Sequence, residues 1–228
     1  MSLYAIGDLH LSLATEKPMD VFGGRWENYV EKISDGFSAL TSDDVTVICG
    51  DITWGMTMEE ALEDFLFIER LPGRKIILKG NHDYWWTTAA KAKKFFAEHE
   101  INTIELLHNN CFFYEDIAIC GTRGWFFEES KNDEHDKKIM TRECLRLEAS
   151  LKQAGDKRKF VFLHYPPKYQ GYECPEILEL LKKYNVERCI YGHIHSAGCA
   201  FSFNGMHDGT EHMLVSADHI HFTPKKLI

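Results

Sequence analysis

Five short apolar runs in this chain each stop at residues able to bind a metal ion. Leu3 to Ile6 runs into Gly7-Asp8-Leu9-His10, and Val45 to Cys49 into Gly50-Asp51. Lys75 to Leu78 leads to Gly80-Asn81-His82-Asp83, Phe160 to Leu163 to His164, and Arg188 to Tyr191 to Gly192-His193-Ile194-His195. Apolar runs this short, bounded by turn residues, read as buried strands. Between them lie stretches with helical spacing of apolar residues: 26–40, 58–71 (stopped by Pro72-Gly73) and 87–99. Pro175 is well placed to open another helix, reaching Tyr184. Strands alternating with helices make an α/β fold, whose strand ends gather on one edge where ligands bind. Residues spread along nearly the whole chain would thereby meet in space.

The remaining segments are less regular. Residues 104–107, 111–114 and 117–120 read as short strands, and 199–203, 212–216 and 220–223 as strands of the tail. The polar stretch 128–138 is either an exposed loop, able to fold over the site as a lid, or the start of a helix running to Ala154. With no repeat or linker, the 228 residues are expected to form one domain, 1–228.

Composition excludes several classes. A net charge of -9 argues against extended, sequence-independent nucleic-acid binding, although a local basic pocket stays open. No apolar run is long enough to span a bilayer, and the N-terminus passes at once into Gly7-Asp8 without the pattern of a signal peptide. A cytoplasmic protein without a membrane partner is expected. The seven cysteines are scattered and form no CxxC pair, which suits reduced thiols.

Aspartate and asparagine offer hard oxygen ligands and neutral imidazole offers nitrogen, a mixture suited to Mn, Fe, Zn, Co or Ni more than to calcium. The lack of a thiolate in the set disfavours a structural zinc site. A carboxylate such as Asp51 can bridge two ions, and a pair of ions can activate water and neutralise both phosphoryl and leaving oxygens.

In this order, Asp8-Leu9-His10, Gly50-Asp51, Gly80-Asn81-His82-Asp83, His164 and Gly192-His193-Ile194-His195 resemble the motif set of the calcineurin-like metallophosphoesterase superfamily. The resemblance implies a four-layer α/β/β/α sandwich of two mixed sheets flanked by helices. It implies that Asp8, His10 and His195 bind one ion, that Asn81, His164 and His193 bind a second, and that Asp51 bridges them. It makes His82 a substrate-side group that protonates or stabilises the leaving oxygen, with Asp83 orienting its imidazole. The cofactor would be two divalent or mixed-valence transition-metal ions.

Many members carry a second aspartate three residues beyond the bridging one, where this chain has Trp54. Neither Gly50-Asp51-Ile52-Thr53-Trp54-Gly55 nor Lys79-Gly80-Asn81-His82-Asp83 matches the protein-phosphatase forms. The expectation moves toward the small bacterial-type phosphohydrolases, acting on a small phosphorylated monoester or diester through a hydroxide held between the ions. Cyclic-nucleotide phosphodiesterase or nuclease action, and a catalytically silent metal-binding scaffold, are the alternatives; homo-oligomerisation is open. Arg123, between glycines after a strand, could clamp a phosphate oxygen or be an ordinary ion-paired arginine. Trp54, Trp85 and Trp86 follow ligand motifs and read as core or rim packing more than as stacking platforms.

Overall fold

The computed structural model of the chain describes residues 1–125 and 133–228. In chain order the first half contains β1 (Leu3–Ile6), α1 (Tyr29–Phe37), β2 (Val45–Ile48), α2 (Leu62–Arg70), β3 (Arg74–Ile77), α3 (Ala89–Glu98) and β4 (Ile104–Leu106). The second half contains β5 (Cys111–Tyr114), β6 (Ile117–Thr122), α4 (Asp133–Gln153), β7 (Arg158–Leu163), β8 (Lys168–Tyr169), β9 (Tyr172–Glu173), α5 (Pro175–Lys183), β10 (Val186–Tyr191), β11 (Gly205–His207), β12 (Thr210–Leu214) and β13 (Lys225–Lys226).

The larger strands form two sheets, ordered β13-β1-β2-β3-β4 and β11-β12-β10-β7-β6-β5, beside a small β8-β9 ribbon. In the first, β1 to β4 are parallel and β13 is an antiparallel edge. In the second, β6, β7, β10 and β12 are parallel, with β5 and β11 antiparallel at the two edges. Both sheets are therefore mixed.

Alternation along the strands explains the layering. Leu3, Ala5, Val45, Val47 and Ile76 face Ile119, Phe160, Phe162 and Ile190 in an apolar layer between the sheets. The residues between them, Ile6, Ile48 and Ile77, point the other way into a core with Ile33 and Phe37 of α1 and Phe65 and Ile68 of α2. On the far side Val161, Leu163, Cys189 and Tyr191 pack under Leu147 and Leu151 of α4 and Ile177 and Leu181 of α5. Each sheet is covered on both faces, so its strands read as continuous apolar runs. The architecture is the four-layer α/β/β/α sandwich.

Two expected tail strands are absent. Residues 199–203 belong mostly to a short 3-10 segment, Ser196–Phe201, that turns directly out of His195. Residues 220–223 fold into turns in which the N–H groups of His219 and Ile220 both reach Ser216 O. His221 and Phe222 are left-handed there, and Phe222 is buried against Trp26 at 5.3 Å. In both places apolar residues mark burial in a turn, and period alone does not separate the two. Of the stretch 128–138, residues 133–138 open α4; 128–132, on which the lid reading also rests, lie outside the described residues. Among the described residues no helix is long and apolar enough to cross a membrane.

Candidate dinuclear metal centre

The C-terminal ends of β1, β2 and β3 in one sheet meet those of β7 and β10 in the other. Contact across the sheets is direct: Gly7 N donates to Val215 O at 2.8 Å, and His164 Nδ1 lies 2.9 Å from Cys49 O. Two groups of candidate ligands result, Asp8 with His10 and His195, and Asp51 with His164 and His193, each group's donor atoms lying within 4.8 Å of one another. Asp51 Oδ2 belongs to both neighbourhoods, 3.5 Å from His164 Nε2 and 3.6 Å from His10 Nε2. Asn81 Oδ1 is 2.6 Å from His164 Nε2, on the second group's side.

The turns that bring these side chains together are strained and tight. Asp8, His10, Asp51 and His193 all hold positive φ, between 47° and 73°. That conformation is unfavourable for non-glycine residues and collects at functional sites. Two motif glycines are dictated by space. A Cβ on Gly80 would lie 2.1 Å from Asp51 Oδ1, and one on Gly192 would lie 2.4 Å from Asp8 Oδ2.

Asp8, His10, Asp51 and His164 are all essentially excluded from solvent. His10 Nε2 and His195 Nε2 face each other at 3.3 Å, and Asp8 Oδ1 is 3.5 Å from the latter. Burial works against the charge on Asp8, but His195 and the other imidazoles outweigh it and hold that carboxyl well below its usual range. Burial raises Asp51 to about 7, beyond what His164 can offset, and with His164's charge drops His193 to about 3. Burial likewise pulls His10 down, reinforced by His195. On His195 burial opposes charge, yet Asp8 and Asp218 prevail and raise it to about 10. Carboxylate oxygens and imidazole nitrogens thus converge in a buried space, an arrangement that a cation would complete. Oxygen and imidazole donors without sulfur fit a pair of first-row divalent ions.

Behind the donors, other groups fix tautomer and orientation. Cys49 O binds His164 Nδ1, and Asp218 Oδ1 binds His195 Nδ1 at 2.9 Å, leaving both Nε2 atoms directed at the centre. Asp218 is fully buried and its other oxygen accepts Ser196 N at 2.8 Å. Sequence reading missed it. The signal was the same one used elsewhere, because β12 leads into Val215-Ser216-Ala217-Asp218. Extending that run as a strand through Ser216 hid the turn that delivers the carboxylate.

The expected Asp83–His82 pair is not formed. Asp83 is fully buried, and its oxygens accept N–H groups from Asp51, Ile52, Gly80 and the Trp85 indole at 2.7–2.9 Å. Four donors use up its acceptor capacity, so it clamps the β2 and β3 turns together. His82 Nδ1 is buried without a hydrogen-bond partner among the described residues, and its backbone N–H donates to Asp51 Oδ1 at 2.8 Å. The His82 ring lies against Trp54 at 4.5 Å and near His10 at 5.6 Å. Trp54, in place of a second aspartate, stacks on His10 with ring centroids 5.0 Å apart. Trp85 and Trp86 are core residues. Arg123 follows β6; its carbonyl accepts the N–H of His164 at 3.1 Å, and its guanidinium lies 4.9 Å from the Trp125 ring.

The family model for calcineurin-like phosphoesterases matches residues 1–197, most of the chain. The chain belongs to the calcineurin-like phosphoesterase family. No curated protein matches the sequence significantly. Solved structures resemble its fold at low identity. The phosphopantetheinyl hydrolase of Mycobacterium tuberculosis is 15% identical with a TM-score of 0.62, the match covering 100% of this chain and 95% of that one. A protein of unknown function from Aquifex aeolicus is 17% identical with a TM-score of 0.53, covering 99% and 95%. A Thermus thermophilus protein is 16% identical with a TM-score of 0.54, covering 85% and 81%. In this calcineurin-like chain the two Asp/His groups and the sandwich around them are those of the family's metal-dependent hydrolase type.

Proposed function

We propose that the chain, acting as one domain, hydrolyses a phosphoester of a small molecule with two transition-metal ions bound. Asp8, His10 and His195 would hold one ion, and Asn81, His164 and His193 the other. The observation that carries this reading is Asp51 Oδ2, set between His10 and His164 at 3.6 and 3.5 Å, where one carboxylate can serve both ions. When bound, the ions supply Lewis acidity toward a phosphoryl oxygen and activate water.

The protein's own groups do the rest. Asp218 and Cys49 O keep His195 and His164 in the tautomers that present Nε2. Asp83 holds the turns that carry Asp51 and Asn81 in register. His82 is half-buried beside His10, with ring centroids 5.6 Å apart. Burial, with His164 beside it, keeps its proton affinity below the usual range, so it is neutral at pH 7. A neutral imidazole offers one N–H to the leaving oxygen and steadies the charge developing there. The acidic net charge of -9 favours a small substrate over nucleic acid.

The test crosses Mn, Fe, Co, Ni and Zn with p-nitrophenyl phosphate and bis(p-nitrophenyl) phosphate, with metal content measured alongside. Turnover should require added metal and disappear with chelator, and Asp51→Asn should lower both metal content and turnover. Two ions bound per chain with no hydrolysis of any phosphoester would make the protein a scaffold instead.

A further inference from the structure

Beside the metal centre, at the ends of β3, β4 and β6, lies a cavity of about 330 Å³. Lys79, His108, Arg123, Arg142 and Arg146 line it, together with the first residues of α3. We infer that this cavity is a second phosphate-binding site. Its use by a substrate rests on the phosphoesterase reading above; its capacity to bind phosphate does not.

Charge and hydrogen bonding carry the inference. Among the described residues that line the cavity, one carboxylate, Glu143, sits among four cationic side chains. It is fully buried, accepting Thr122 Oγ1 at 2.6 Å and Arg146 Nη1 at 2.7 Å, with Arg123 Nη2 at 3.9 Å. It orients two guanidiniums without neutralising the group. In a chain of net charge -9, such a concentration of positive charge inside one cavity calls for an anion. Arg123 Nε is buried with no hydrogen-bond partner among the described residues, and the Trp125 ring lies against the guanidinium. A buried N–H lacking an acceptor is costly, and a phosphate oxygen would satisfy it. Helix α3 starts at the cavity; Thr88 Oγ1 takes the Lys91 N–H, and the helix end adds positive potential.

Two links join the cavity to the metal centre. Lys79 precedes Asn81 by one glycine, and the Arg123 carbonyl takes the N–H of His164. A molecule with one phosphate at the metal centre could place a second here, which selects bisphosphorylated small molecules. The same chemistry would also accept free inorganic phosphate.

Calorimetric titration of the metal-loaded full chain with inorganic phosphate tests the site. Two classes of phosphate site are expected. The Arg142→Met/Arg146→Met double variant should weaken one of them by about 30-fold, the scale of losing charge-assisted bonds. Arg142→Met alone leaves the Glu143 bonds intact and keeps the test open where the double variant does not fold. An isotherm with one class of site, or one the variants do not change, overturns the inference. Turnover of adenosine 3′,5′-bisphosphate against adenosine 5′-phosphate then separates the two sources. A preference for the bisphosphate that the variants erase assigns the site to substrate; phosphate binding without that preference assigns it to the free anion. No turnover of either compound, with the second binding class intact, strikes the phosphoesterase reading and spares this one.

Discussion

Asp83→Asn separates two roles for the carboxylate next to His82. The asparagine is nearly isosteric but replaces one carboxylate oxygen with an NH2 group. Oδ2 accepts from Asp51 N at 2.9 Å and Gly80 N at 2.7 Å, while Oδ1 accepts from Ile52 N and Trp85 Nε1, both at 2.9 Å. Whichever way the amide turns, two N–H donors then face another donor. Each lost bond to a charged acceptor is worth about 1.5–3 kcal/mol, so the gross loss is about 3–6 kcal/mol. Burial raises the Asp83 carboxyl's proton affinity, and a neutral amide escapes that desolvation. The net destabilisation should be about 3 kcal/mol. Urea unfolding of metal-loaded wild type and variant reads this directly. Because the clamp holds Asp51 and Asn81, metal content and turnover should fall together, equally for aryl phosphates with good and poor leaving groups. His82→Ala, by contrast, should spare metal content and lose most on the poor leaving groups. An Asp83→Asn variant with an unchanged urea midpoint and the leaving-group profile of His82→Ala would refute the clamp and restore the His82–Asp83 pair.

Metal affinity should rise with pH. In the metal-free protein Asp8 and Asp218, against burial, raise His195 to about 10, and burial raises Asp51 to about 7. Both groups must lose a proton to bind an ion. The apparent Mn affinity should therefore climb about tenfold per pH unit between 7 and 10, and about a hundredfold per unit below 7 where Asp51 also deprotonates. Chelator competition at pH 6 to 9 measures it, and a flat profile would contradict the assignment of both ligands. Asp218→Asn removes the carboxylate that orients His195, so metal affinity should drop about 10–100-fold. An unchanged affinity would mean that the 2.9 Å contact does not orient the ligand.

The strand ends that carry the ligand candidates were largely legible in the residue order, whereas the two-sheet sandwich came from the family resemblance. Apolar runs must be strands where both faces of a sheet are covered, and a Gly-Asp or a histidine closing such a run can lie only at a strand end. The ends of β1, β2, β3, β7 and β10 followed from that; why Gly80 and Gly192 must be glycine showed only in the packing, where each lies against Asp51 or Asp8. Family likeness supplied the division into two ion sites, which spacing along a chain cannot encode. Three more things were decided only in three dimensions. Asp83 adjoins His82 in sequence, yet its carboxylate turns to four N–H donors from β2, β3 and Trp85. A buried carboxylate goes where the most unsatisfied donors converge, and those lie in other segments. Asp218 reaches His195 because residues 216–223 turn instead of extending. The basic cavity draws on β3, β6, α3 and α4, so no window of the sequence contains it. Local pattern determines which residues stand at a strand end. Which partner each one meets is settled by the packing of segments far apart in the chain.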